Sequence, residues 1–200
     1  MNKLGKKFIV FGILLIFISL ILLVYNTYKE YNANKKSQEV LNIMKNNLSD
    51  KDEVTNIDNL SSSSEEMLTI NVGGFDYIGM IKIPVLNLEL PVMSEYDYTR
   101  LDIAPCRYYG SLYTNDLIIC AHSYKTHFLN IINLSKEDII IFQDVNGKDY
   151  LYEVLEIEIL NPKEVSKMID NDFDLTLYTC TEDGMNRVTV RCNKILDETV

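Results

Sequence analysis

The chain has 200 residues, of which 47% are hydrophobic and 24% are charged, so it can form one packed domain with appendages and is not a disordered protein. Its 19 basic and 29 acidic residues give a net charge of −10, which argues against nucleic-acid binding because that function needs a basic face. The four cysteines lack CxxC spacing and are accompanied by only two histidines, so the usual zinc-binding patterns are excluded.

The N-terminal segment predicts a membrane anchor. Residues 8–25 form an uncharged run of 18 residues, and a helix of that length spans about 27 Å, close to the roughly 30 Å of a bilayer core. Three lysines precede this run and the first acidic residue is Glu30. The positive-inside rule therefore places residues 1–7 in the cytoplasm and residues 26–200 outside, in a single-pass cell-membrane protein. A cleaved signal peptide is the alternative, but no A-x-A-like cleavage site follows the run.

Residues 26–66 predict an extracellular stalk and linker. Val40, Leu41, Met44 and Leu48 recur at helical spacing, which favours a helix from about residue 28 to residue 48. Residues 50–66 are polar and contain four consecutive serines, a composition typical of a flexible linker. The catalytic or binding domain is therefore expected to occupy residues 67–200.

From Ile70 onward the pattern predicts strands. They lie over residues 77–83, 86–92, 116–121, 139–143, 150–159, 175–180 and 188–192. Asn146-Gly147 predicts a tight hairpin turn between two of them. Short helical pieces are expected only around residues 124–134 and 162–169. Six to eight short strands with so few helices predict a mainly β fold, a closed or nearly closed barrel.

Three residues at strand ends form a candidate catalytic group. Cys180 ends one predicted strand and Arg187 begins the next, so a hairpin would bring the thiol beside the guanidinium. His122 closes another apolar strand. A neighbouring cation favours the reactive thiolate, a histidine can protonate a leaving amine, and an arginine can hold a developing oxyanion.

A structural interpretation of the same residues stays open on spacing alone. Buried inert cysteines are common, a histidine at a strand end is often structural, and an arginine beside an acidic turn is often a solvated ion pair. The four cysteines also allow two disulfides, such as Cys106–Cys120 and Cys180–Cys192. The second of these pairings would remove the nucleophile.

Four segments in order resemble the sortases, the cysteine transpeptidases of Gram-positive bacteria. The run Thr176-Leu177-Tyr178-Thr179-Cys180 with Arg187 seven residues later resembles the TLxTC…R signature of that family. Ala121-His122 with the following Thr126-His127-Phe128 resembles its histidine segment, although many members have glycine where Ala121 stands. Residues 77–84 and 90–92 resemble the opening strands, so the likeness covers about residues 75–194.

The resemblance implies a sortase-type barrel of about eight strands and assigns the catalytic roles. His122 matches the catalytic histidine, Cys180 the nucleophile and Arg187 the arginine, whereas His127 falls at a structural position. Arg191 lies one strand step too far to replace Arg187. Thr179 is expected to shape the pocket beside the thiol, and apolar residues around Ile118 and Leu177 to contribute to a substrate groove.

By the same resemblance, the substrates are secreted proteins with an LPxTG-like C-terminal sorting signal. The acceptor is an amine of a cell-wall precursor or a pilin lysine, and no metal or organic cofactor is expected. Two other functions remain open. One is a membrane-anchored cysteine protease with water as acceptor, and the other is a non-catalytic extracellular binding domain with its cysteines paired as disulfides.

Overall fold

One long helix and nine strands account for most of the residues that the computed structural model describes, which are residues 3–51, 67–170 and 172–195. The helices are α1 (Lys3–Lys51) and the short α2 (Val165–Ile169). The strands are β1 (Ile70–Val72), β2 (Phe75–Ile83), β3 (Leu88–Met93), β4 (Cys106–Tyr109), β5 (Leu117–Cys120), β6 (Ile139–Asp144), β7 (Asp149–Leu160), β8 (Leu175–Cys180) and β9 (Arg187–Lys194). Short 3₁₀ turns cover Pro84–Leu86, Arg100–Asp102 and Leu129–Asn133.

Strands β2–β9 close into an eight-stranded barrel. Their order is β2-β3-β4-β5-β8-β9-β7-β6, and antiparallel pairing of β2 with β6 closes the ring. Only β3–β4 and β5–β8 are parallel pairs, whereas β1 adds a short antiparallel ribbon to the start of β2. The predicted mainly β barrel of about eight strands is confirmed. The β6–β7 hairpin turns at Gly147, whose φ of 86° suits glycine.

The barrel interior is filled by side chains from every strand except β1 and β4, which contribute to a second cluster under α1. Alternating burial along the strands produces this arrangement: β6, for example, alternates partly buried and buried residues over its whole length. The fully buried members of the interior include Ile81, Leu90, Ile119, Phe142 and Leu177. The barrel is therefore a packed core, and any substrate site must lie on its outer face or rim.

The sequence pattern predicted the anchor and the stalk helix as separate elements, but α1 runs without a break from Lys3 to Lys51. Its apolar first half contains an 18-residue window with a mean hydropathy of 3.1 that is not buried in the protein, so α1 is long and apolar enough to cross a membrane. The predicted polar linker falls mainly on residues 52–66, which lie outside the described residues.

The second half of α1 packs against the barrel. Ala33, Ser37, Leu41 and Met44 are buried at a spacing of three to four residues, which places them on one helix face. Leu41 and Met44 join a cluster with residues of the barrel wall, including Tyr77, Met80 and Met93 of β2 and β3. This part of α1 therefore belongs to the globular domain.

Leu41→Ala tests that packing. Leu41 is 3% exposed. Its truncation to alanine removes buried apolar atoms and leaves a cavity, so the free energy of unfolding is expected to fall by about 2–5 kcal/mol. Denaturant unfolding of the full chain in detergent micelles measures the loss. The matched control is Ile43→Ala on the exposed face of the same helix, where Ile43 is 45% exposed. Equal stability of the two variants would contradict the packing.

Candidate active site

Cys180 and Arg187 face each other across the β8–β9 hairpin. They are direct partners in the antiparallel register. Because the Thr181 backbone N–H donates to the Asn186 carbonyl at 3.0 Å, the next pair along, Cys180–Arg187, is a non-hydrogen-bonded pair. Such pairs have Cα atoms only about 4.5 Å apart and their side chains on the same face. The side chains of Cys180 and Arg187 therefore leave the hairpin next to each other on one face.

The turn between these strands is held by its own polar groups. The Thr181 hydroxyl accepts a hydrogen bond from the Asn186 backbone N–H at 3.0 Å, and the Asp183 carboxylate accepts one from the Met185 backbone N–H at 2.9 Å. Gly184 has φ of 72°, a conformation that favours glycine. Arg187 Nη1 in turn donates to the Asn186 carbonyl at 3.0 Å. The turn thus orients the guanidinium without an acidic partner among the described residues, leaving its charge available.

His122 reaches the same place from the neighbouring strand. Strands β5 and β8 are parallel, with Cys120 beside Tyr178. The pairing continues one step further, since the Ala121 N–H donates to the Tyr178 carbonyl at 3.2 Å and Thr179 Oγ1 donates to the Ala121 carbonyl at 2.8 Å. If the same register is extended past the end of β5, one more step brings His122 to the level of Cys180. The structure therefore brings together the three strand ends that carry the predicted group.

The surroundings of His122 are aromatic and acidic. Its ring meets the Tyr98 ring edge-on, with centroids 5.6 Å apart, and the Tyr124 ring at 4.9 Å. Its Nε2 lies 3.4 Å from Oδ1 of Asp102. Burial lowers the pKa of His122 and outweighs Asp102, which raises it; Lys29 lowers it further. The imidazole is thus held largely neutral at neutral pH. None of these neighbours was identified from sequence, because they come from the β3–β4 connection, the loop after β5 and α1.

The four cysteines are free, and they differ in exposure. Cys106, Cys120 and Cys192 are buried, whereas Cys180 is partly exposed. Burial raises the pKa of the Cys106 thiol to about 12 and also raises those of Cys120 and Cys192. Cys192 pairs with Leu175 at the opposite end of the hairpin, about 17 Å from Cys180 at 3.4 Å per residue. A Cys180–Cys192 disulfide, which needs Cα atoms within about 7 Å, is excluded.

The three predicted substrate-contacting residues lie in the wall rather than in a groove. Thr179 is 1% exposed and its hydroxyl is used by the Ala121 carbonyl. Leu177 is fully buried in the barrel interior. Ile118 is 2% exposed in a small cluster with Leu160 and Met168. Period-two alternation explains this: Leu177 and Thr179 point inward, whereas Tyr178 and Cys180 point outward.

A cleft on the outer face is the surface that the sequence reasoning missed. It has a volume of about 180 Å³ and lies between β4, β8 and α2. Arg187, the partner of Cys180, and Tyr178, two residues before it, belong to its lining. The other lining residues are Tyr96, Tyr108, Asn161, Pro162, Glu164, Val165 and Met168. The cleft therefore reaches the partner of Cys180 and offers aromatic, apolar and polar contacts to an extended peptide.

Two residues near the site are structural in the sense the sequence suggested. Arg191 is buried, pairs with Glu158 at 2.9 Å and donates to Thr176 Oγ1 and to two backbone carbonyls near α2. Its guanidinium is fully engaged away from Cys180. His127 is completely buried, and within the described residues neither ring nitrogen has a hydrogen-bond partner. Burial is the main reason why its pKa falls to about 4.

His127 predicts a pH dependence of stability. Its pKa is lowered to about 4 in the folded chain, against about 6.5 when unfolded, so the unfolded state takes up the proton first as pH falls. The free energy of unfolding is therefore expected to drop by about 3 kcal/mol between about pH 6.5 and pH 4 from this group. Urea unfolding across this range, with His127→Gln as comparison, measures it. An identical pH slope in wild type and variant would contradict the prediction.

The comparisons with known proteins agree with the fold. Residues 81–195 match the Sortase domain family, whereas no curated protein shows a significant match to the chain. Sortase A from Corynebacterium diphtheriae is similar in fold, with a TM-score of 0.56 and 20% identity over 88% of this chain and 95% of that one. Sortase C from Clostridium perfringens SM101 has a TM-score of 0.53 and 22% identity, covering 86% of this chain and 97% of that one.

A third solved structure, sortase C from Streptococcus pneumoniae, has a TM-score of 0.54 and 23% identity, covering 60% of this chain and 69% of that one. At such identities these likenesses establish the fold, and the family match establishes the relationship. It spans more than half of the chain, from near the end of β2 to the residue after β9, and includes His122, Cys180 and Arg187. With that match on the sortase-type barrel, the chain belongs to the sortase family of cysteine transpeptidases.

Proposed function

We propose that this sortase cleaves an LPxTG-like C-terminal sorting signal of secreted proteins and transfers the protein to an amine. The observation that carries the proposal is the convergence of three strand ends: Cys180 opposite Arg187 in the β8–β9 hairpin, with His122 beside them after β5. A thiol, a fixed cation and an imidazole in this arrangement supply a nucleophile, an oxyanion partner and a proton donor. Cys180 is also the one partly exposed cysteine of the chain.

In the first half of the reaction, the neutral His122 imidazole takes the proton of the Cys180 thiol, and the resulting thiolate attacks the carbonyl carbon that precedes the scissile bond. The negative charge that develops on the carbonyl oxygen is stabilised by the Arg187 guanidinium. The C–N bond then breaks while His122 gives its proton to the departing amine. The products are a thioester on Cys180 and the released C-terminal peptide.

In the second half, an acceptor amine loses a proton to His122 and attacks the thioester carbon. The C–S bond breaks, the thiolate returns, and a new amide joins the substrate protein to the acceptor. A cell-wall precursor amine or a pilin lysine has the required chemistry. The structure of sortase C from Streptococcus pneumoniae, to which this chain is similar in fold, is described as giving insights into pilin substrate specificity. A lysine-bearing acceptor is therefore worth testing alongside a glycine one.

The sorting signal is proposed to bind in the outer cleft beside the thiol. Tyr96, Tyr108 and Tyr178 form an edge-to-face series there, with successive ring centroids 5.6 and 5.4 Å apart. Aromatic rings and the apolar side chains of α2 suit the leucine and proline of such a signal. Arg187 at the end of the cleft then meets the carbonyl groups next to the cleavage position.

The N-terminal half of α1 is proposed to anchor the enzyme in the cell membrane. Residues 8–25 would cross the bilayer, residues 1–7 would stay in the cytoplasm, and the domain from residue 67 onward would act outside. The helix is apolar enough for this role, and the lysines lie on its N-terminal side. Anchoring enzyme and substrate in the same membrane raises their effective concentration.

The test uses the full chain in detergent micelles, because α1 contributes to the core. It is incubated with an LPxTG-type peptide with and without triglycine or a lysine-bearing peptide, and mass spectrometry follows adducts and products. We expect a thioacyl adduct on Cys180 and an amide product that requires the amine. Hydrolysis without any amine product would identify a protease instead. No adduct with any member of a varied peptide library would contradict the enzymatic proposal and favour a binding domain.

A further inference from the structure

The Asp102 carboxylate and the Tyr124 side chain lie against the His122 ring, and the Lys29 ammonium group pairs with that carboxylate. The reaction proposed above uses none of these groups. Asp102 ends the 3₁₀ turn between β3 and β4. Its Oδ1 lies 3.4 Å from His122 Nε2 and accepts a hydrogen bond from the Tyr124 hydroxyl at 3.2 Å. Its Oδ2 lies 3.4 Å from Nζ of Lys29 on α1. One carboxylate therefore links the imidazole to the N-terminal helix.

We propose that Asp102 is the positioning residue of His122 and that Lys29 fixes Asp102, which makes α1 a working part of the active site. The inference rests on the proposed function, because it assigns the orientation of the histidine in that reaction. Neither residue touches the reacting atoms. Both act through the histidine that exchanges the proton.

The argument starts from the two nitrogens of the imidazole. His122 Nε2 is buried, and within the described residues no atom meets hydrogen-bond geometry with it. The nearest charge is the Asp102 carboxylate, whose oxygen can accept a second bond besides that from Tyr124. A carboxylate facing one ring nitrogen favours the tautomer with the proton there. Contacts of this kind shorten when the ring becomes a cation and the substrate is bound.

That tautomer leaves Nδ1 of His122 with the free lone pair. Nδ1 is then the atom that takes the proton of the acceptor amine and returns one to the leaving amine. The rings of Tyr98 and Tyr124 pack against the imidazole, with centroids 5.6 Å and 4.9 Å away, and limit its rotation. The Asp102 carboxylate then decides which nitrogen points to the reaction.

Lys29 holds the Asp102 carboxylate in position through their ion pair. The neighbouring Glu30 accepts a hydrogen bond from the Lys125 backbone N–H at 2.7 Å, so consecutive residues of α1 hold both Asp102 and the loop that follows His122. Asp102 raises the pKa of Lys29, as expected for a paired ammonium group. The same helix turn lines a cavity of about 570 Å³ with Ser123 and Tyr124. The N-terminal helix is thus attached to the histidine side of the site at two points.

The electrostatics supply a distinctive test. The titratable groups that face His122 come from α1, the β3–β4 connection, the loop after β5 and the end of β8; they are Lys29, Asp102, Tyr98, Tyr124, His127 and Cys180. Asp102 raises the pKa of His122 and Lys29 lowers it. Removing one charge or the other must therefore move that pKa in opposite directions. A purely structural role would not produce opposite shifts.

The experiment titrates His122 by NMR in the full chain, with isotope-labelled histidine, in detergent micelles. The chain has only two histidines, and a His122→Gln sample assigns the signals. We expect Asp102→Asn to lower the pKa of His122 and Lys29→Met to raise it. In the peptide-transfer assay, Asp102→Asn should lower kcat by about 10²-fold with little change in KM. The alkaline limb of the pH profile of kcat should move to lower pH in this variant. Asp102→Glu should restore part of kcat.

Two matched controls remove similar charges elsewhere. Glu95→Gln neutralises an exposed carboxylate of the same connection, which pairs with Arg100 at 3.0 Å, and Lys35→Met removes a lysine of α1 that pairs with Glu39. Both should leave the pKa of His122 and kcat unchanged.

Shifts in the same direction, or no shifts, in variants whose Tm shows that they are folded would overturn the proposal. A wild-type protein without transfer activity would contradict the proposed function instead, and the two pKa shifts would still decide the pairing.

Discussion

Cys180→Ala is expected to abolish the thioacyl adduct and to lower the rate of peptide transfer by about 10⁴-fold or more, because no other group in the site forms the covalent intermediate. The fold should be unaffected, since the side chain is partly exposed and lies outside the buried clusters. Single-turnover mass spectrometry with the sorting peptide measures the adduct, and product formation with triglycine measures transfer.

The matched control for this substitution is another cysteine. Cys120→Ala removes a thiol that is 1% exposed and whose pKa is raised by burial, so it should lower Tm slightly and keep the adduct. Iodoacetamide should correspondingly label Cys180 in the native protein and leave the three buried thiols unmodified. An adduct that persists in Cys180→Ala would assign the nucleophile to a different residue.

Arg187→Lys is expected to lower kcat by about 10²–10³-fold while leaving the fold intact. Lysine keeps the charge but loses the planar fork that can hold a carbonyl and its developing oxyanion at the same time. Among the described residues, Arg187 bonds to carbonyl oxygens of its own turn, those of Asn186 and Gly184, so little stability is expected to depend on it. Steady-state kinetics together with thermal unfolding separates the two effects.

Arg191→Met is expected to lower stability rather than kcat. The Arg191 guanidinium is buried and bonds to Glu158, Thr176 and the backbone near α2, so its removal should cost about 3 kcal/mol of stability. A strong loss of Tm with Arg187→Lys, or a loss of kcat without loss of Tm for Arg191→Met, would reverse the roles of the two arginines.

The pairing of Cys180 with Arg187 was predictable because it is local. Cys180 and Arg187 are joined by one short turn, and hairpin register follows from turn length and strand pattern. His122 needed a step across the parallel β5–β8 pair, which sequence periodicity does not specify. The family resemblance supplied that step through the order of its motifs. The inward direction of Leu177 and Thr179 was also predictable. Side chains alternate between the two faces of a strand, and both residues lie an odd number of positions from the outward-facing Cys180.

The residues around His122 were not predictable in the same way. Asp102 lies in an irregular connection whose sequence has no period, and its position depends on how β3 and β4 pair at a single point. The short strand β4 was missed because a register shift interrupts its four residues. The packing of α1 was predictable only in part. Leu41 and Met44 follow the helical pattern, but Ala33 and Ser37, which extend the buried face toward the site, have small side chains that do not stand out as an apolar stripe.

Because α1 is unbroken, it fixes the distance between the candidate active site and the proposed membrane span. Lys29 lies four residues beyond Tyr25, the last residue of the proposed span, so the histidine side of the catalytic centre is held about 6 Å along the helix axis from the bilayer boundary. A helix is stiff over this distance, and its side contacts also fix rotation about the axis. With the proposed membrane span, a sorting signal would have to present its scissile bond near the lipid headgroups and from one direction, so that substrates would be selected by how far they emerge as well as by their motif.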